Sequence, residues 1–193
     1  MRSGGTDGNE SLTSAAALVL TLLLAAEGVT IIDMGGLRNP HMFIGMLLIG
    51  PVLVKLGSTG YRFVRYYTGS RPYREKGPPL LGLRLLAPVL VITTVGVFTT
   101  GVLLLIAGHR SNTLLEIHKV TFIVWGVLFA VHFLAHAPRM MRSLASDWTR
   151  RRRLEVPGAG MRLGLVAVSL GGGLVLALAV LSSITGWHGE HRF

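Results

Sequence analysis

The sequence has no cysteine in its 193 residues. That absence excludes disulfide frameworks, thiolate metal sites, iron–sulfur clusters and thiol nucleophiles. Charge is also scarce: Asp, Glu, Lys and Arg make up 15% of the chain, against about 25% in a soluble domain. Acid is scarcer still, with 9 Asp and Glu against 19 Lys and Arg, a net charge of +10. Aromatic residues are few, at 7%. Without a base-stacking surface, and with the basic residues falling between apolar runs, the excess of positive charge is not a nucleic-acid footprint. A chain that is half hydrophobic is not disordered, because disorder needs low hydrophobicity. It is a poor candidate for an ordinary water-soluble enzyme.

What the chain has instead is long apolar runs. Crossing a bilayer takes ~20 apolar residues in a helix, and five stretches qualify: 12–32, 41–63, 85–107, 114–136 and 163–184. None alternates as a strand would, and lipid admits only helices or closed barrels. The expected fold class is an all-α membrane protein, a five-transmembrane-helix bundle. A polar tail, 1–11, precedes the bundle at 12–184, and a second tail, 185–193, follows it. Ala15–Ala26 has the length of a signal-peptide core. However, only Arg2 precedes it as a basic side chain, and the apolar run resumes past Glu27 to Ile32, so it reads as a retained span.

The loops differ in charge. Tyr61–Arg84 holds Arg62, Arg65, Arg71, Arg74, Lys76 and Arg84 against Glu75. Ala137–Arg162 holds seven arginines against Asp147 and Glu155, while Asp33–Pro40 and His109–Ile117 are nearly neutral. Positive-inside logic puts both basic loops in the cytoplasm, the N-terminus inside and the C-terminus outside, in an expected bacterial inner membrane. Tyr61, Tyr66, Tyr67 and Trp187 suit interfacial belts. Ser70–Pro79, with Pro72, Gly77, Pro78 and Pro79, reads as a stiff irregular connector. Neither basic loop is long enough for a soluble catalytic module.

The chemistry lies in the histidines. His118 and His132 are 14 residues apart on the fourth run, a helical rise of ~21 Å with the two side chains about 40° apart on one face. Imidazole is a common axial haem ligand, and that rise suits two haems stacked across a bilayer. The second run begins at His41, and it enters the membrane from the same side as the fourth. His41 and His118 therefore sit at similar depth, where two imidazoles on facing parallel helices can clamp one iron. Fourteen residues beyond His41 stands Lys55, where the fourth run has His132.

His41-x-x-x-Gly45, the Leu-Glu-Ile-His118 helix start and the His118/His132 spacing resemble the membrane cytochrome b family. That family includes bacterial cytochrome b561-like proteins and the haem subunits of membrane formate dehydrogenases and hydrogenases. The resemblance covers roughly Arg38–Met140. It implies a four-helix haem-binding core holding haem b by paired histidines and moving electrons to or from quinone. On that resemblance His41 and His118 form one ligand pair and His132 is half of a second, with Lys55 standing where the matching histidine is absent. One haem is expected and a second is possible. The chain would then be a redox subunit, working with a membrane or peripheral oxidoreductase partner, rather than a complete enzyme.

Other roles stay open. Lys55 can ligate iron as a neutral amine, bind a haem propionate, hold a quinone or anion, or snorkel to the surface. His136, one turn past His132, can contact a propionate, replace His132 or cap an interface. Glu27 lies level with His41 and can accept protons at a quinone site or simply pair. Arg62 and Arg65 can bind propionates or anchor the inner interface. His109, His188 and His191 fall in loop or tail. Gly45, Gly96, Gly101, Gly126 and Gly171–Gly173 permit close helix packing or leave room for a porphyrin face. Thr93, Thr94, Thr99 and Thr100 are expected to bond within the third run. Gly158-Ala-Gly160-Met-Arg-Leu-Gly164 has one residue too many for a dinucleotide fingerprint. His132 and His136 have no accompanying zinc motif. The alternative to a haem protein is a haem-free small transporter or assembly factor, with Lys55, Glu27 and His132 lining a path.

Overall fold

The computed structural model describes residues 5–77, 81–107, 112–147 and 158–186, with backbone only for 139–147. The described chain is all-helical, in the order α1 (Gly5–Ile32), α2 (Arg38–Tyr67), α3 (Arg71–Glu75), α4 (Leu81–Ala107), α5 (Asn112–Asp147), α6 (Ala159–Ala179) and α7 (Leu181–Gly186). Five of these, α1, α2, α4, α5 and α6, are long and apolar enough to cross a membrane. Their outward faces are apolar: Leu22, Leu53, Ile92, Ile123, Leu134 and Val168 are each more than 60% exposed. That surface would be intolerable in water and is ordinary in lipid. The protein is an all-α integral membrane bundle.

The helices depart from the apolar runs at their ends. The polar stretch expected as an N-terminal tail is helical from Gly5. Hydrogen bonds from Lys76 to Asp7 (2.7 Å) and Glu10 (2.8 Å), and from Asn9 to Ser58 O (3.1 Å), tie it down. Helix α2 begins at Arg38, so His41 sits inside its first turn, closed by His41 N–H to Leu37 O at 2.9 Å. Pro40 is tolerated there because the first turn has no intrahelical acceptor for its missing N–H. The connector after α2 is less irregular than its prolines imply: Pro72 starts the short helix α3, bounded by Gly69 and Gly77 at positive φ. Helix α5 runs on through Pro138 to Asp147, where a loop was expected from Ala137. The last apolar run breaks at Val180 into α6 and α7. His109, Trp187, His188, His191 and the arginines of 150–153 lie outside the described residues.

Helices α1 and α2 form one antiparallel hairpin and α4 and α5 another, and these are two of the largest interfaces in the fold. The α1–α2 turn is held by Asp33, whose carboxylate accepts from Gly36 N–H at 3.1 Å and would crowd any Cβ at that glycine. The hairpins meet through α1 against α5 and α2 against α4, which closes a four-helix ring. In that ring α2 and α5 lie on a diagonal and run in the same direction. Helix α6 lies outside the ring, mainly against α2. There the backbones touch: a Cβ on Gly50 would collide with the Ser169 carbonyl, and one on Gly173 with that of Leu47. Gly173 thus acts in packing, as expected, while Gly171 and Gly172 meet open space. Met46, Leu105, Ala177 and Ile184 form a buried cluster where α2, α4, α6 and α7 meet.

Candidate functional site

The diagonal of the ring carries the polar side chains. At the end marked by the α1–α2 turn, His41 of α2 and His118 of α5 lie close enough for their charges to interact. At the opposite, basic end, Lys55 of α2 and His132 of α5 lie within the same electrostatic reach without bonding. The equal spacing of 14 residues on two parallel helices produces both juxtapositions, because equal rise and equal rotation carry each helix to the same depth and face.

Both histidines at the turn end are held through Nδ1. His41 Nδ1 lies 3.0 Å from Glu27 Oε1 and 3.0 Å from Thr30 Oγ1. The Thr30 hydroxyl already donates to Glu27 O at 2.5 Å, so toward the ring it can only accept. The carboxylate likewise accepts. With both partners accepting, the network places a proton on Nδ1 and leaves Nε2 as the nitrogen facing away from them. His118 repeats the logic with a different partner. Its Nδ1 is 2.8 Å from Thr100 Oγ1, whose proton goes to Gly96 O (2.8 Å) and Val97 O (3.0 Å). Gly101 lies beside this ring, where a Cβ would stand 3.3 Å from Cε1. Two imidazoles each partnered at Nδ1, with Nε2 on the other side, have the form of metal-ligating histidines held from behind.

The basic end is built differently. Lys55 Nζ turns to α1 and donates to Thr13 O at 3.1 Å. The Thr13 and Ser58 hydroxyls meet at 3.0 Å beside it. His132 stacks on His136, ring centroids 4.3 Å apart, and His136 Nδ1 bonds His132 O at 2.9 Å. His132 Nδ1 is buried without a partner. Arg62 and Arg65 are exposed, consistent with interfacial anchors.

Between the two ends, α5 carries an aromatic ladder. Phe122, Trp125, Phe129 and Phe133 touch in sequence at centroid distances of 5.8, 4.9 and 5.9 Å. Trp125 Nε1 donates to Thr94 Oγ1 at 3.0 Å, locking α5 to α4. Sequence reasoning passed over this ladder, although its spacing of three and four is the signature of one helical face. It also assigned Thr100 to its own helix alone, and gave Thr30, Thr13 and Ser58 no part. Hydroxyls in apolar runs are too common to single out without knowing which helix faces them.

Among the described residues no cluster of three or more His, Cys, Asp or Glu could hold a metal ion by itself. Comparison with family models, curated proteins and solved structures returned no match to this chain.

Proposed function

We propose that this protein is a haem b-binding electron carrier of a bacterial inner membrane, in which His41 and His118 would hold the iron of one haem. The observation that carries the reading is the matched pair of imidazoles on parallel helices, each partnered at Nδ1 from behind. A porphyrin would be held between two histidines on facing helices, and the placement of His41 on α2 and His118 on the parallel α5 supports that reading. The haem, when bound, supplies a one-electron ferric/ferrous couple. The chain orients the ligands and surrounds them with a low-dielectric shell. Electrons would pass between quinone, or a partner oxidoreductase, and a site across the membrane. The basic loops set the orientation, with the Lys55 end toward the cytoplasm and the His41 end outside.

A second haem at the inner end does not fit as well. Beside His132 its second ligand would have to be Lys55, which is turned to Thr13 O on α1. As a hydrogen-bond donor beside His132, Lys55 suits a propionate or quinone oxygen better than iron, with His136 stacked behind. The competing reading is a haem-free transporter or assembly factor, favoured by the buried, partnerless His132 Nδ1. Colour separates the two. The purified protein should give a low-spin b-type spectrum in dithionite-reduced minus oxidised difference, with one haem per chain by pyridine haemochrome. His41→Ala and His118→Ala should each abolish it. A colourless protein, or an unchanged spectrum in His118→Ala, rejects the proposal.

A further inference from the structure

The two ligand-bearing ends of the proposed site are not alike. Glu27 is the one acidic side chain that the described spans bury, 12% exposed, whereas Glu116 near the start of α5 is 66% exposed. A carboxylate at that depth is costly in lipid and calls for a role. One oxygen, Oε1, lies 3.0 Å from His41 Nδ1, and the other, Oε2, is buried with no partner. Thr30, one turn on, reinforces the same Nδ1 with its own oxygen at 3.0 Å. His118 instead leans on the uncharged hydroxyl of Thr100. One imidazole thus faces a carboxylate and a hydroxyl, the other only uncharged partners, the Thr100 hydroxyl and the Val97 backbone.

We propose that Glu27 is a positioning residue that makes the two axial imidazoles unequal, its carboxylate drawing on the Nδ1 proton so that His41 Nε2 is the stronger donor to iron. This inference rests on the haem reading above. An acceptor behind a ligating histidine fixes its ring and raises its basicity, and an anionic acceptor does so more than a neutral one, because charge-assisted hydrogen bonds are about twice as strong. A stronger nitrogen donor favours ferric over ferrous iron. Glu27 therefore holds the haem at a lower potential than a bis-histidine site with two hydroxyl partners would have.

Glu27→Gln tests this, since it keeps the shape and an acceptor oxygen and removes the charge. The purified protein is titrated potentiometrically, and its ferric low-spin EPR spectrum is recorded. Glu27→Gln should retain one haem per chain and favour the ferrous state by at least about tenfold, an upward shift of about 59 mV for one electron. Its EPR g-values should move, and Thr30→Val should shift the potential in the same direction by less. An unchanged or lowered potential in haem-replete Glu27→Gln overturns the inference and leaves the haem reading intact. Should Glu27→Gln lose its haem, Glu27→Asp decides: haem binding at wild-type potential supports the inference, and haem loss or a raised potential overturns it. A colourless wild type overturns the haem reading, and histidine nitrogen chemical shifts then report on Glu27 separately. A strongly hydrogen-bonded His41 Nδ1 proton whose chemical shift moves toward that of a neutral partner in Glu27→Gln supports the positioning role, and one whose shift is unchanged, or that is absent from wild type, rejects it.

Discussion

At the scale of single residues, the hydroxyls behind the histidines are as informative as the histidines. Thr100 spends its proton on Gly96 O and Val97 O and accepts from His118 Nδ1. Thr100→Val removes that acceptor and leaves the fold's apolar packing in place. Loss of such a partner lowers metal affinity about 10- to 100-fold. Haem titration of the variant should show a weaker site with the same bis-histidine spectrum, and wild-type affinity would place no weight on Thr100. Lys55 makes the opposite prediction. Its amine is committed to Thr13 O, so Lys55→Met should keep one haem per chain with an unaltered spectrum. Loss of haem in Lys55→Met would instead make Lys55 an iron ligand. The residue types and their spacing were legible in the chain. The hydrogen bonds were not, because Glu27, Thr30 and Thr100 reach their histidines across helices 11 to 18 residues away in sequence.

At the scale of elements, the contact between α2 and α6 is set by glycine. Without a hydrophobic driving force between helices in lipid, close backbone approach through small residues supplies the packing. Gly173→Ala places a methyl group against the Leu47 carbonyl, and overpacking of that kind costs about 1–3 kcal/mol. Gly171→Ala meets open space and should be neutral or slightly stabilising, since Ala is the better helix former. Thermal unfolding in detergent should separate the two variants in that order, and equal behaviour would contradict the close crossing. The first turns of α1 depend on a different device, the ion pairs of Lys76 with Asp7 and Glu10. Partial burial of the Lys76 ammonium pulls its pKa down, but the hydrogen bonds and charges of Asp7 and Glu10 outweigh this and leave it above the ordinary lysine value of 10.5. A raised pKa means that this stabilisation is fully present below about pH 10.5 and is lost as pH climbs through the folded-state value. Partly exposed pairs are worth about 0.2–1 kcal/mol each. Lys76→Ala should therefore speed amide hydrogen exchange over residues 5–12 at neutral pH without unfolding the bundle, and unchanged exchange would show that Asn9 and Thr13 hold the turn by themselves.

For the whole molecule, two antiparallel hairpins close a ring whose diagonal holds the polar chemistry. The basic side chains gathered after α2, at Arg62, Arg65, Arg71, Arg74 and Lys76, are the basis of the proposed orientation in the membrane. Reporter fusions at Gly35, in the α1–α2 turn, and at Gly77, after α3, should report outside and cytoplasm respectively. The reverse pattern would turn the His41 end inward and move the proposed haem to the cytoplasmic leaflet.

The sequence by itself determined the class of protein and the number of its spans. Both follow from hydropathy, a property that each segment carries without its neighbours. It also determined that His41 and Lys55 on one helix match His118 and His132 on another, since helical rise and rotation are local geometry. The termini of the elements escaped it. Polar residues 5–11 join α1, where Lys76 and Ser58 meet them, and α5 continues past Pro138 to Asp147. Only the tertiary structure decided that α2 and α5 share a diagonal, that α6 stays outside the ring, and that Lys55 turns to α1 rather than across to His132. Those outcomes depend on which helix faces meet. In a chain whose spans are apolar all round, the 3.6-residue pattern does not mark one face above another.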